Sequence, residues 1–167
     1  MQTALINETI DRFKADPAAG RGAPTVTAIL ADGRARLSAG AFSWESDLPA
    51  SIGGTNVAPS PTAYLLGALA GCGVAFLNDT LAPEFGVTVR GIRVVARCTT
   101  DLAGLVGIPG AVPDLTDIEL AIEVDTPDPE SKTGPMFDAW QRRCPIYLAL
   151  RNPSAVALRA VATSGSR

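Results

Sequence analysis

The chain has 167 residues, 47% of them apolar and 19% charged, so it is long enough to bury a core and too apolar for disorder. Its net charge is only −3 and no stretch gathers Lys and Arg into a stripe, which argues against a nucleic-acid-binding face. It contains no histidine, which excludes Ser-His-Asp and Cys-His nucleophile pairs and every imidazole-based zinc site, and its three cysteines lack CxxC spacing.

The first segment carries Glu8, Asp11, Arg12, Lys14 and Asp16, without the basic-then-apolar order of a signal peptide. A cytoplasmic protein is expected, whose thiols rest reduced and whose disulfides are transient. Leu5, Ile6, Ile10 and Phe13 recur at helical spacing and Asp16-Pro17 ends the pattern, so residues 3–16 read as a short amphipathic helix. Residues 25–31 form a β-rich run, Asp32-Gly33 is a hairpin signal, and Arg34 begins the return strand. Residues 41–48 alternate, with Phe42, Trp44, Ser46 and Leu48 on one face and Ser43, Glu45 and Asp47 on the other. Residues 49–59 are loop by their content of Pro49, Gly53, Gly54 and Pro59.

Ser60-Pro61 reads as an N-cap followed by proline at the first helical position. From Tyr64 to Leu81 the chain is nearly all apolar or small, which predicts a buried central helix too short to cross a bilayer. Strands are expected over 87–99 and 115–124. A helix containing Met136, Phe137 and Trp140 follows, then a further helix opened by Cys144-Pro145, then a closing strand over 155–161. The order α-βββ-α-ββ-α-α-β is an α+β pattern, read as one domain with residues 1–20 as a helical extension.

The cysteines differ in setting. Cys72 lies inside the apolar helix between Gly71 and Gly73, small residues that let another backbone or a substrate come close. Packed there, it can also be an ordinary core thiol. Cys144 stands before Pro145 and after Arg142-Arg143, where an N-cap position and two cations would favour a thiolate. Cys98, late in a strand, reads as structural.

The segment Ser60-Pro61-Thr62-Ala63-Tyr64-Leu65-Leu66-Gly67-Ala68-Leu69-Ala70-Gly71-Cys72, with Gly53-Gly54 before it and Arg143-Cys144-Pro145 after it, resembles the OsmC/Ohr family over residues 24–162. The resemblance implies curved antiparallel sheets around two central helices in an intertwined homodimer, with sites at the subunit interface. It implies a cysteine peroxidase that reduces organic hydroperoxides with no bound cofactor or metal. Cys72 is then the thiol that attacks peroxide, Cys144 resolves it as a disulfide, and an external dithiol, of lipoyl type among others, restores both. These roles run against the residue-level reading, which favours Cys144 as the more acidic thiol.

In the family an arginine near the first hairpin activates the attacking thiol. Arg34 or Arg36 would serve here, with Arg21 in reserve. The family glutamate after the motif proline is replaced by Thr62, so Glu45, Asp47 or another carboxylate must hold the arginine, or activity is weaker. A substrate pocket is expected from Leu65, Leu66, Leu69, Phe76, Met136, Phe137 and Trp140, suited to alkyl or lipid peroxides. The competing reading is a redox-responsive or small-ligand-binding protein without turnover. A third is a structural dimer with inert cysteines. No membrane or nucleic-acid partner is expected.

Overall fold

Asp32 and Gly33 both adopt positive φ (51° and 76°), the backbone that a tight two-residue hairpin requires. They join β1 (Thr27–Ala31) to β2 (Arg34–Ala39) in antiparallel register, Ala31 opposite Arg34. Gly40, at φ 57°, turns β2 into β3 (Phe42–Ser46), completing a three-stranded sheet in the order β1-β2-β3. The computed structural model describes residues 2–162, with side chains from residue 4 onward. Ahead of the sheet, α1 (Gln2–Ala15) rests lightly on the later helices, and Asp16 caps a single turn over Pro17–Gly20.

Ser60 accepts a hydrogen bond from the Ala63 N–H (3.2 Å) and Pro61 occupies the first turn, so α2 (Pro61–Phe76) starts where the sequence places it. It does not stop at Asn78-Asp79. A π turn over Leu77–Leu81 carries it into α3 (Ala82–Phe85), which Gly86 ends at φ 62°. The result is a helical run of 25 residues, Pro61–Phe85, long and apolar enough by length and composition to cross a bilayer, contrary to the shorter helix expected. Leu69, Leu77, Leu81 and Ala82 pack it into the core. The helix is also less enclosed than expected: Gly67, Ala68, Gly71, Val74 and Ala75 are exposed along its other side.

The second sheet pairs β4 (Gly91–Thr99) with β5 (Thr116–Asp125), antiparallel with an irregularity between Arg97 and Thr99. Ile92 and Ala96 on β4 and Leu120, Ile122 and Val124 on β5 pack against the core, and Val94 faces Gly73 of α2. The close approach anticipated at the glycines occurs at Gly73, where a Cβ would stand 3.1 Å from Val94 Cγ2; at Gly71 it would meet nothing within 4 Å. The β4–β5 connection carries the short α4 (Leu102–Leu105). Two further helices, α5 (Glu130–Arg143) and α6 (Pro145–Arg151), close the core, where Met136, Ala139, Trp140 and Cys144 are buried.

The closing strand expected over 155–161 is not formed. Residues 153–162 have no regular structure, and Val156 and Leu158 are 93% and 90% exposed. An alternating apolar segment becomes a strand only against a free sheet edge, and no strand among the described residues pairs with it. The face assignment for 41–48 also needs correction. The strand ends at Ser46, and both Ser46 and Asp47 are buried as the chain bends away.

Candidate active site

Cys72 lies on α2, eleven residues past Pro61, or about 16 Å along the axis, beyond the reach of that helix's terminal charge. Cys144 ends α5 and caps α6 in one extended residue (φ −68°, ψ 112°), the backbone that Pro145 imposes on its predecessor. Its N–H donates to the Trp140 carbonyl at 2.8 Å, and its own carbonyl accepts from the Leu148 N–H at 3.0 Å. Its Sγ accepts the Tyr147 N–H at 3.5 Å. These local bonds carry the second sulfur onto the first: Cys72 Sγ and Cys144 Sγ are 2.9 Å apart within one chain, both as free thiols.

The pair is asymmetric. Cys144 is fully buried at 0% exposure, whereas Cys72 is partly exposed. Burial, and then the hydrogen bond and charge of Cys144, push the Cys72 thiol up to about 12; the Ile146 N–H opposes them weakly. Trp140 braces both cysteines: its indole N–H points at the Cys72 carbonyl at 3.5 Å, and its ring packs on Tyr147 at 5.2 Å between centroids. Sequence reasoning gave Trp140 a place in the pocket and missed this bracing role. The signal was available, since Trp140 is four residues before Cys144 and Tyr147 three after.

The cations fall elsewhere. Arg143, expected to favour a thiolate at Cys144, forms a two-pronged ion pair with Glu84 at 2.9 and 2.7 Å, tying the end of α5 to α3. Arg34 donates to Glu45 at 3.2 Å, and Arg36 lies 3.5 Å from Asp32 and 3.6 Å from Glu45. Within the single chain both are thus held on β2 by carboxylates, and neither forms the expected contact with Cys72. Of the two carboxylates named for holding the arginine, Glu45 is the one that pairs with Arg34. Asp47 does not. It is caged by the Thr55 hydroxyl (2.6 Å) and the N–H groups of Leu48, Thr55 and Val57, chiefly the hydroxyl, which hold its carboxyl down to about 2. Cys98 is a separate free thiol on β4.

The expected pocket residues do not line one cavity. Phe137 and Trp140 line a cleft of about 290 Å³ with Leu120, Ile122 and Tyr147. Leu69 lines a neighbouring one of about 350 Å³, also walled by Tyr147. Leu65 belongs to a third cleft of about 580 Å³ between the start of α2 and the β4–β5 connection. Met136 is core, with no exposure, and Phe76 packs against the core; neither lines any of these clefts, because a helix presents only one of its sides to any one cavity.

A family model described as OsmC-like protein matches residues 53–159. No curated protein matches the sequence. Among solved structures, an OsmC-like protein from Mycoplasma pneumoniae is 22% identical, with 79% of this chain and 89% of that chain covered at a TM-score of 0.66. An organic hydroperoxide resistance protein OsmC from Legionella pneumophila is 11% identical, covering 78% and 90%, at 0.56. The organic hydroperoxide resistance protein OhrB of Bacillus subtilis is 19% identical, covering 79% and 93%, at 0.50. At these identities the likeness is one of fold, an α+β arrangement with antiparallel sheets.

Proposed function

The chain belongs to the OsmC-like protein family, and from that premise we propose that it is a thiol peroxidase reducing organic hydroperoxides through Cys72, with Cys144 as the resolving thiol. The observation that carries this reading is the pair of sulfurs 2.9 Å apart, of which only Cys72 meets solvent. A peroxide can reach only the exposed sulfur, which outweighs the argument from local sequence that favoured Cys144 as nucleophile. The Cys72 thiolate attacks the terminal peroxide oxygen, the O–O bond breaks, and the alkoxide leaves as alcohol after protonation. Cys144 then attacks the sulfenic sulfur, water leaves, and a disulfide joins the two. An external dithiol, lipoyl-type among the candidates, returns the pair to thiols.

A thiol held near 12 is a poor nucleophile at neutral pH, so turnover requires a cation beside Cys72. We propose that a second copy of the chain supplies it, with Arg34 and then Arg36 as the candidates. The exposed apolar side chains Ile29, Leu30 and Phe42 on the first sheet, and Val156 and Leu158 in the unpaired tail, suit burial in such a homodimer. The protein is read as cytoplasmic, where such thiols rest reduced.

Steady-state consumption of cumene hydroperoxide with a dithiol reductant tests the proposal. Turnover that exceeds that of hydrogen peroxide and vanishes in Cys72→Ser is expected; no turnover with any organic peroxide would sink it. One observation favours a second reading. With no cation among the described residues acting on Cys72 and Thr62 in the motif, a redox-responsive disulfide without turnover fits the same geometry. Stoichiometric oxidation by peroxide without catalysis would select it.

A further inference from the structure

In the oxidised state of the proposed cycle an external thiol has two sulfurs to choose from, and the fold does not offer them equally. Cys144 is covered entirely by its own chain, between the last turn of α5 and the first turn of α6. Thiol–disulfide exchange needs the incoming thiolate in line with the S–S bond, opposite the sulfur that leaves. For attack on Cys144, that line runs through packed protein. For attack on Cys72, the approach is from the partly exposed side of α2, and the leaving sulfur is the one already receiving the Tyr147 N–H.

Building on the peroxidase reading, we propose that the reductant's thiolate attacks Cys72 Sγ and expels Cys144 as a thiolate held by the Tyr147 N–H. One sulfur thus serves as nucleophile toward peroxide and as electrophile toward the reductant. The first exchange forms an S–S bond between reductant and Cys72 and breaks the Cys72–Cys144 bond. Cys144 keeps the electron pair and later takes a proton from water. The reductant's second thiol then attacks its own sulfur in the mixed disulfide, releasing the Cys72 thiolate. The dithiol is oxidised by two electrons and the protein disulfide reduced by two. With Cys144 Sγ poised on Cys72, a monothiol is expelled by back-attack, so only a dithiol completes the exchange.

The test uses full-length protein oxidised with one equivalent of cumene hydroperoxide, then mixed with 2-mercaptoethanol, quenched in acid, alkylated with N-ethylmaleimide after denaturation, and mapped by peptide mass. The expected trapped species carries mercaptoethanol on Cys72 and maleimide on Cys144; the reverse assignment overturns the proposal. A second measurement covers a mixed disulfide too short-lived to trap. Mercaptoethanol is loaded onto Cys72 in a Cys144→Ser, Cys98→Ser chain and onto Cys144 in a Cys72→Ser, Cys98→Ser chain. Dithiothreitol should then release it at least about tenfold faster from Cys72, because release from Cys144 waits on local opening. Equal rates, or faster release from Cys144, overturn the proposal. If peroxide forms no disulfide at all, the peroxidase reading fails first; diamide then makes the same disulfide, and the mapping still decides which sulfur is attacked.

Discussion

The half of the chain around the cysteines and the half before it solve the burial problem differently. The helical run Pro61–Phe85, the β4–β5 sheet and α5–α6 enclose Leu77, Leu81, Met136 and Cys144 with no exposure at all. The β1–β3 sheet leaves Leu30 83% and Phe42 76% exposed. A buried Leu is worth about 2 kcal/mol relative to an exposed one, so the first region draws more stability from apolar burial within the chain than the second. The thiol pair sits wholly in the first region, while its candidate activating arginines sit in the other. Under the proposed function, the thiol pair is a property of one chain and its reactivity a property of the proposed dimer.

The largest effect belongs to the enclosed region. Cys72→Ser should reduce peroxide consumption to background, a loss of about a thousandfold or more. Cys144→Ser should retain the first oxidation and then overoxidise, seen by mass as successive additions of oxygen on Cys72. If Cys144→Ser alone blocks the first oxidation, the roles are reversed. Next comes the exposed sheet. Leu30→Asp should turn a dimer into a species of 17.2 kDa by light scattering. It should also cut peroxidase turnover at least about tenfold, since like a lost interface anchor it costs about 2 kcal/mol or more. Diamide should still form the Cys72–Cys144 disulfide in that variant. Loss of the disulfide as well would mean the two regions are not independent.

A smaller effect is expected at Arg34, which bridges the comparison. Arg34→Ala should slow Cys72 oxidation by roughly tenfold at neutral pH, the consequence of a shift of about one pKa unit in the attacking thiol. The sign follows from the thiolate being the nucleophile. As Cys72 returns toward the value near 12 of the isolated chain, the rate rises with pH over a longer range before levelling. A stopped-flow pH profile identical to wild type in both Arg34→Ala and Arg36→Ala would remove the arginines from the mechanism. The smallest effect concerns the junction between the regions. Asp47, held down to about 2 against an ordinary 3.8, stabilises the fold fully above pH 3.8 and loses that contribution as pH falls toward 2. Asp47→Asn should lower Tm modestly near neutrality and flatten the acid limb of the Tm–pH curve.

Local chemistry was legible and nonlocal partnership was not. The Asp32-Gly33 turn, the Ser60-Pro61 start of α2 and the extended backbone at Cys144 each follow from constraints within a few residues, and the sequence shows them. The order and spacing of the two cysteine motifs pointed to Cys72 and Cys144 as neighbours through family resemblance rather than through geometry. Arg143 was misread because its partner, Glu84, is 59 residues away. The helix was read short because Asn78, Asp79 and Thr80 look like an interruption, which the π turn absorbs within the run. The strand over 155–161 was a correct reading of pattern without an edge to complete it. The pocket failed for a related reason: apolar residues on two helices announce burial, and say little about which side of each helix lines a common space.

The 72-residue separation of Cys72 and Cys144 has a topological consequence. The proposed Cys72–Cys144 disulfide would convert the middle of the chain into a covalent ring containing β4, β5 and α5, with two linear tails. The β1–β3 sheet, most of α2 and all of α6 remain outside it. Such a ring removes roughly 4 kcal/mol of loop-closure entropy from the unfolded state, and only for the segment it encloses. A single proteolytic cut at the exposed stretch Val106–Ile108 would leave the oxidised chain in one piece, and would split the denatured reduced chain in two. The redox state of one bond thus decides whether the molecule behaves, under cleavage, as a circle or as a line.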